Sequence, residues 1–102
     1  MASEVSDNRE QSRFEIRVDG AVAGFVDYRL RDDRITFTHA EVDDAYEGQG
    51  LGSTLASYVL DAARDRKLDV FPACPFIAEY IKRHPDDHLD LVPEHVRDKY
   101  QL

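Results

Sequence analysis

The first half of the chain alternates apolar and polar residues, a pattern typical of strands buried on one face. The alternation runs through residues 13–18, 22–30 and 34–42. In the second segment it places five residues on one face: Val22, Gly24, Val26, Tyr28 and Leu30. Asp19-Gly20, between the first two segments, is a hairpin-turn signal. The pattern therefore predicts an antiparallel three-stranded meander.

The hydrophobic period then changes from two residues to between three and four. Apolar residues recur with this spacing from residue 50 to 67, which predicts an amphipathic helix. A short β-prone segment, 68–71, follows directly, and a strand there would run parallel to the third one. Pro75 suits the first turn of a second helix, and Pro85 ends that helix. A last short helix is predicted over residues 94–100, and the fold class is α/β (α+β).

Residues 1–11 are polar and lack hydrophobic periodicity, so we expect a flexible N-terminal tail before a single domain over residues 12–102. The chain has 102 residues, of which 42% are hydrophobic and 33% charged, as in globular proteins. No apolar run approaches the ~20 residues of a membrane-spanning helix, and no signal-peptide core is present. We therefore expect a cytoplasmic protein without a membrane partner.

Charge and cysteine content narrow the classes of partner. Cys74 is the single cysteine, which excludes an internal disulfide and fits a reducing compartment. The net charge of −8 argues against nucleic acid, whose binding requires basic surfaces. The same charge is compatible with a cationic partner such as an amine, or it serves only to keep the protein soluble.

A glycine-rich loop precedes the long predicted helix. Three glycines alternate with other residues there, and the helix start supplies unpaired N–H groups and a positive dipole end. This arrangement is typical of sites that bind a phosphate or pyrophosphate. The candidate binding residues are Gly48, Gln49, Gly50, Leu51, Gly52 and Ser53.

Two nucleotide-binding motifs do not fit this loop. A P-loop needs a lysine before Ser53, and the dinucleotide fingerprint needs G-x-G-x-x-G rather than G-x-G-x-G. A third interpretation is a loop at a helix start that binds a cofactor with a pyrophosphate, such as coenzyme A. The alternative is that the glycines only shape a tight entry into the helix.

Residues 42–55 resemble the central motif of the GNAT superfamily of N-acetyltransferases, Arg/Gln-x-x-Gly-x-Gly/Ala, which binds the pyrophosphate of acetyl-coenzyme A. The matching positions are Glu47, Gly50 and Gly52, and Glu47 departs from the usual Arg or Gln. Residues 74–85 and the strand ending 39–42 resemble the small stand-alone GNAT-like domains of about this length. The resemblance spans roughly residues 13–92.

The resemblance implies a minimal GNAT fold that uses acetyl-coenzyme A as cosubstrate and no metal. The pantetheine arm would lie between the splayed strands 34–42 and 68–73, with the backbone near Glu41 and Val42 facing the thioester. Val42 is therefore a further candidate for cofactor binding. The helices that cover the acceptor site in larger members are absent, so we expect an open cleft for a small-molecule or peptide amine. Open clefts and exposed strand edges invite pairing, so we expect a monomer or a weak homodimer.

His39 and Glu41 are the candidates for proton transfer in such a reaction. They lie two residues apart on one strand and so share a face, where either could accept the proton of the amine. The alternative is a polar pair that caps the strand end. A tyrosine on the second helix protonates the leaving thiolate in larger relatives, but the apolar neighbours of Tyr80 predict a core position.

Cys74 is a third catalytic candidate. It lies at the predicted N-cap of the second helix, an environment that lowers the pKa of a thiol and favours a nucleophile. This cysteine has been proposed as an active-site residue in the resembling subgroup, and the alternative is a small buried residue. The predicted activity is N-acetyl transfer to an amine. The alternatives are a non-catalytic module that binds coenzyme A or another protein, and an acyl-coenzyme A hydrolase that uses Cys74.

Overall fold

The computed structural model describes residues 3–46 and 48–102, which form a five-stranded sheet with helices on one face. The strands lie side by side in chain order, and they are β1 Ser3–Asn8, β2 Arg13–Val18, β3 Ala21–Arg31, β4 Arg34–Val42 and β5 Asp69–Pro72. The first four are antiparallel neighbours, and β5 runs parallel to β4. The predicted meander and parallel strand are confirmed.

The N-terminal segment corrects the sequence-based expectation, because residues 3–8 form strand β1 rather than a flexible tail. β1 pairs with β2 from Ser3 opposite Val18 to Asn8 opposite Arg13. The Tyr28 hydroxyl donates a hydrogen bond of 2.6 Å to Asp7. Backbone pairing and side-chain hydrogen bonds hold this polar edge strand in place. Because its sequence has no hydrophobic period, the strand could not be predicted from that pattern.

Two β-bulges set the side-chain faces of the sheet. Ile16 pairs with Gly24 and Arg17 with Val22, which leaves Ala23 without a partner on β2. The bulge turns Ala23 into the core and leaves Val22 40% exposed, so the expectation that Val22 shares the face of Gly24 is wrong. The second bulge leaves Thr38 of β4 unpaired, because Asp27 pairs with His39 and Tyr28 with Phe37.

The helices are α1 Leu51–Asp65, α2 Pro75–Arg83, α3 Pro85–His88 and α4 Glu94–Arg97. The buried residues of α1 form its face toward the sheet, namely Leu51, Leu55, Ala56, Val59, Leu60 and Ala63. α2 begins after the N-cap Cys74, ends before Pro85 and buries Ile77 and Ile81. Across the described ranges, every helix is too short or too polar to cross a bilayer.

Candidate functional site

The sheet opens between β4 and the start of α2. β5 pairs with β4 only from Arg34 to Phe37, after which the Cys74 N–H donates to the Phe37 carbonyl at 2.7 Å and the chain turns into α2. β4 continues to Val42 beyond this point. The space beside it is a groove of about 200 Å³ lined by Ala40, Glu41, Val42 and Phe76, which we call the apolar groove.

The glycine loop lies next to the apolar groove. Gly48 and Gly50 have φ of 84° and 72°, in the left-handed region that favours glycine. Gly50 is the N-cap of α1, and the Thr54 N–H donates to its carbonyl at 3.1 Å. The three amides before Thr54 therefore lie in the first turn, where an N–H has no acceptor within the helix. Gln49 and Ser53 are exposed, while Glu47 lies outside the described residues.

Gly52 serves a different purpose from the two glycines before it. Its φ is not positive, but a β-carbon there would lie 3.0 Å from Cζ of Phe76 and 3.9 Å from Cγ2 of Val42. A β-carbon on Gly24 would in turn lie 3.1 Å from the same Val42 methyl and 2.8 Å from the Glu41 carbonyl oxygen. Val42 thus lies between two glycines, which brings the end of β4 against the helix start.

His39 and Glu41 lie together on the exposed face of β4. His39 Nε2 is 3.3 Å from Glu41 Oε1, and their side chains are 57% and 63% exposed. The His39 ring also lies 6.0 Å from the ring of Phe25. Glu41 lines the apolar groove as well. The pair can therefore take a proton from a group bound at this strand end and pass it to solvent.

Cys74 occupies its predicted N-cap position, but its side chain lies in the core. The residue is only 2% exposed and packs within the main hydrophobic cluster. It is not among the residues that line the apolar groove. The structure thus brings His39, Glu41, Val42 and the glycine loop to one end of the sheet, with the thiol below that surface. Tyr80 packs against the core, as predicted, and stacks on His84 at 4.5 Å.

A second cavity lies at the same end of the sheet, and sequence reasoning missed most of it. Its volume is about 510 Å³. The residues that line it come from β2, β3 and the end of β4, and they are Arg13, Val22, Ala23, Gly24, Phe25, Glu41, Val42, Asp43 and Asp44. We call it the acidic cleft. It shares Glu41 and Val42 with the apolar groove. The Asp43-Asp44 pair directly after β4 was the sequence signal that could have pointed to it.

Arg13 is held in place at the wall of the acidic cleft. Its Nε lies 2.7 Å from the Glu15 carboxylate, and its guanidinium stacks 4.8 Å from the centre of the Phe25 ring. Glu15 is 2% exposed and also bonds Arg17 at 2.8 Å. Burial alone would raise the pKa of Glu15, but hydrogen bonds from Arg13 and Asn8 and the two arginine charges lower it overall. Glu15 is therefore ionised, and its carboxylate is shared by Arg13 and Arg17.

Known proteins share both the sequence and the fold. The family model of the GCN5-related N-acetyl-transferases matches residues 13–91. Protein NATD1 from Mus musculus is 30% identical over 87 residues, which cover 79% of this chain and 76% of that protein. A GCN5-like protein from Staphylococcus aureus, solved in solution by NMR, superposes with a TM-score of 0.64 and 26% identity, covering 88% of this chain and 87% of its own.

A larger enzyme shares the fold over part of its length. The ribosomal-protein-S18-alanine N-acetyltransferase from Escherichia coli is 27% identical with a TM-score of 0.54. That match covers 57% of this chain and 38% of the enzyme. The shared region is therefore only part of the larger enzyme.

Proposed function

This chain belongs to the GCN5-related N-acetyltransferase family, and from that membership we propose that it binds acetyl-coenzyme A and transfers the acetyl group to an amine. Family membership supports acetyl transfer in general. The observation that carries the specific proposal is the convergence of the open α1 start, the apolar groove and the His39–Glu41 pair at one end of the sheet.

The first turn of α1 would hold the pyrophosphate. Leu51, Gly52 and Ser53 carry the amides of that turn, and it contains no acidic side chain. The positive end of the helix dipole favours an anion at this place. Backbone donors supply the contacts, so the proposal does not depend on the side chain at position 47.

The apolar groove would hold the pantetheine arm. It starts beside Gly52 and runs between the end of β4 and Phe76. A chain of methylenes and amides suits such a wall, and the Glu41–Val42 backbone offers polar groups to its amides. The thioester would then lie near Glu41.

The reaction needs a deprotonated amine. Glu41 or His39 would take the ammonium proton, directly or through water, and the freed nitrogen would attack the thioester carbon. The carbon–nitrogen bond forms, the carbon–sulfur bond breaks, and the coenzyme A thiolate takes up a proton from solvent. No covalent step on the protein is required.

One observation favours a second candidate function, a coenzyme A-binding module without turnover. His39 and Glu41 are both more than half exposed, so water competes for the groups that would activate the amine. A hydrolase that uses Cys74 has less support, because the thiol is buried in the core.

Titration with acetyl-coenzyme A, followed by backbone amide shifts, tests the proposal. We expect the amides of Gly48 to Ser53 and of Val42 to respond. Gly48→Ala should weaken binding, because φ of 84° is strained for alanine. Gly20→Ala is the matched control, since Gly20 has φ of 88° and an equally open environment but lies in the β2–β3 hairpin. Unperturbed loop amides would reject the proposal.

An amine panel then separates transferase from binding module. Thiol release from acetyl-coenzyme A that depends on amine identifies a transferase. Binding without release identifies the module, and release without amine identifies a hydrolase.

A further inference from the structure

We propose that the acidic cleft is the acceptor site and that it takes a linear alkyl diamine, a molecule with an ammonium group at each end of a methylene chain. This rests on the proposed function, whose acceptor class it narrows. The cleft, at about 510 Å³, lies within the range of small-molecule sites, roughly 300–1,000 Å³.

One wall of the cleft is apolar. Val22 lines it beside the ring of Phe25. The bulge at Ala23 turns Val22 out of the core, which leaves a large apolar side chain 40% exposed at this wall. An exposed valine beside an aromatic ring offers a surface for methylene groups.

The β4 side of the cleft, next to this wall, is acidic. Glu41, Asp43 and Asp44 line it in sequence around the end of β4. Asp43 accepts a hydrogen bond of 2.9 Å from the Ala45 N–H through one oxygen, which fixes its carboxylate at the rim. Among the described lining residues the Arg13 guanidinium is the one cation, held by Glu15 at 2.7 Å, and the three carboxylates outnumber it. The wall is therefore negative overall.

The two walls match the two parts of an alkyl diamine. Amino groups of this kind have a pKa near that of lysine, about 10.4, so both ends are charged at neutral pH. The methylene chain would lie on Val22 and Phe25, while the ammonium groups meet carboxylates. A monoamine would leave part of the acidic wall without a counter-charge.

Glu41 connects this cleft to the transfer reaction. It is one of the residues that line both the acidic cleft and the apolar groove, so the acceptor site and the expected thioester position meet at Glu41. One ammonium would lose its proton to Glu41 and attack the thioester carbon as described above. The second ammonium would stay charged at Asp43 and Asp44 and hold the acceptor in register.

Binding without acetyl-coenzyme A tests the inference. The protein is titrated with pentane-1,5-diamine and with pentylamine, which has the same carbon chain and one charge, while the amides of Phe25, Asp43 and Asp44 are followed. We expect the diamine to bind roughly two- to fivefold more tightly, the gain typical of one exposed charge pair.

Paired variants assign the effect to the cleft. Asp43→Asn combined with Asp44→Asn should remove the preference for the diamine, and asparagine at 43 can still accept the Ala45 N–H. Asp32→Asn combined with Asp86→Asn removes the same charge from exposed positions outside the cleft and should keep the preference. Equal affinity for the two amines, or a preference that survives in the cleft variant, would overturn the inference.

Two further results have defined meanings. A peptide with adjacent lysines that binds more tightly than the diamine would overturn the choice of a small diamine. The second result is that acetyl-coenzyme A leaves the amide shifts of the glycine loop unchanged while the cleft still binds the diamine. That result would reject the proposed function and leave the cleft as a diamine site.

Discussion

Gly52 lies against the ring of Phe76 so closely that a β-carbon on Gly52 would be 3.0 Å from Cζ. The start of α1 and the start of α2 meet at this contact, which borders the apolar groove. The third glycine of the loop therefore lets the two helix starts lie close together beside the groove.

Gly52→Ala should reduce acetyl-coenzyme A affinity without reducing stability. The methyl group must displace the far end of a flexible side chain, which costs little, and alanine is favoured over glycine in a helix by about 1 kcal/mol. The displaced ring would narrow the groove. Calorimetric titration and thermal unfolding measure the two effects. Adding Phe76→Leu should restore affinity, and a failure to do so would contradict the packing explanation.

Gly24→Ala should instead reduce stability, by roughly 1–3 kcal/mol, the usual cost of forcing a methyl into a packed site. The new β-carbon would lie 2.8 Å from the Glu41 carbonyl oxygen, a backbone atom that cannot rotate away. Urea unfolding checks this. An unchanged urea midpoint would contradict this prediction, because it would mean that β3 and β4 move apart at the new methyl group with no loss of stability.

Cys74→Ala should retain acetyl transfer to amines and lose about 1 kcal/mol of stability, as expected for a small cavity in the core. The residue is 2% exposed, so its thiol is not positioned to attack a thioester in the groove. Amine-dependent thiol release is the measurement. Loss of activity in a folded variant, together with an acetylated Cys74 in the wild type, would place the thiol in the mechanism.

The folded protein should lose stability as the pH falls below 6.5, and His88 should cause part of this loss. His88 is 5% exposed with no hydrogen-bond partner for Nδ1, and burial lowers its pKa from 6.5. The unfolded chain therefore binds the proton first as the pH falls, which favours unfolding between 6.5 and the lower folded pKa. His88→Leu should flatten this part of the pH profile, whereas His95→Gln, an exposed control, should not.

Asp7→Asn should lower the pKa of Tyr28 from about 12 toward 10.0. Burial is the main cause of the raised pKa, followed by the hydrogen bond of 2.6 Å to the Asp7 carboxylate and its charge, so the shift should be partial. Loss of the hydrogen bond from Tyr28 should also reduce the free energy that holds β1 on the sheet by about 1 kcal/mol. NMR signals of labelled tyrosine rings measure the titration. An unchanged Tyr28 pKa would contradict the contribution assigned to Asp7.

The periodic part of the fold could be predicted from the sequence. Strands β2 and β4, helix α1 and the start of α2 at Pro75 follow from side-chain period and proline position, which are local properties. Strand β1 could not be predicted in this way, because an edge strand without a hydrophobic face depends on its partner for structure.

The candidate site was predictable only in part, for the same reason. The glycine loop and the His39–Glu41 pair are short-range patterns. The acidic cleft depends on the bulge at Ala23, which moves Val22 to the other face. Such a bulge is a property of the pairing between two strands, so the sequence of β3 alone does not reveal it. Phe76 follows Pro75 at the predicted start of the second helix, and its contact with Gly52 appears only once α1 and α2 are packed.

The four-residue pairing of β5 with β4 has a consequence for the lifetime of the protein. Because this ladder is so short, few backbone hydrogen bonds join the C-terminal part to the sheet. We therefore expect local opening to begin at the β4–β5 junction, which we call the seam. A cosubstrate held between the α1 start and Phe76 would bridge the seam from outside. By mass action, its concentration would then set how often the seam opens and how quickly a protease could cut there.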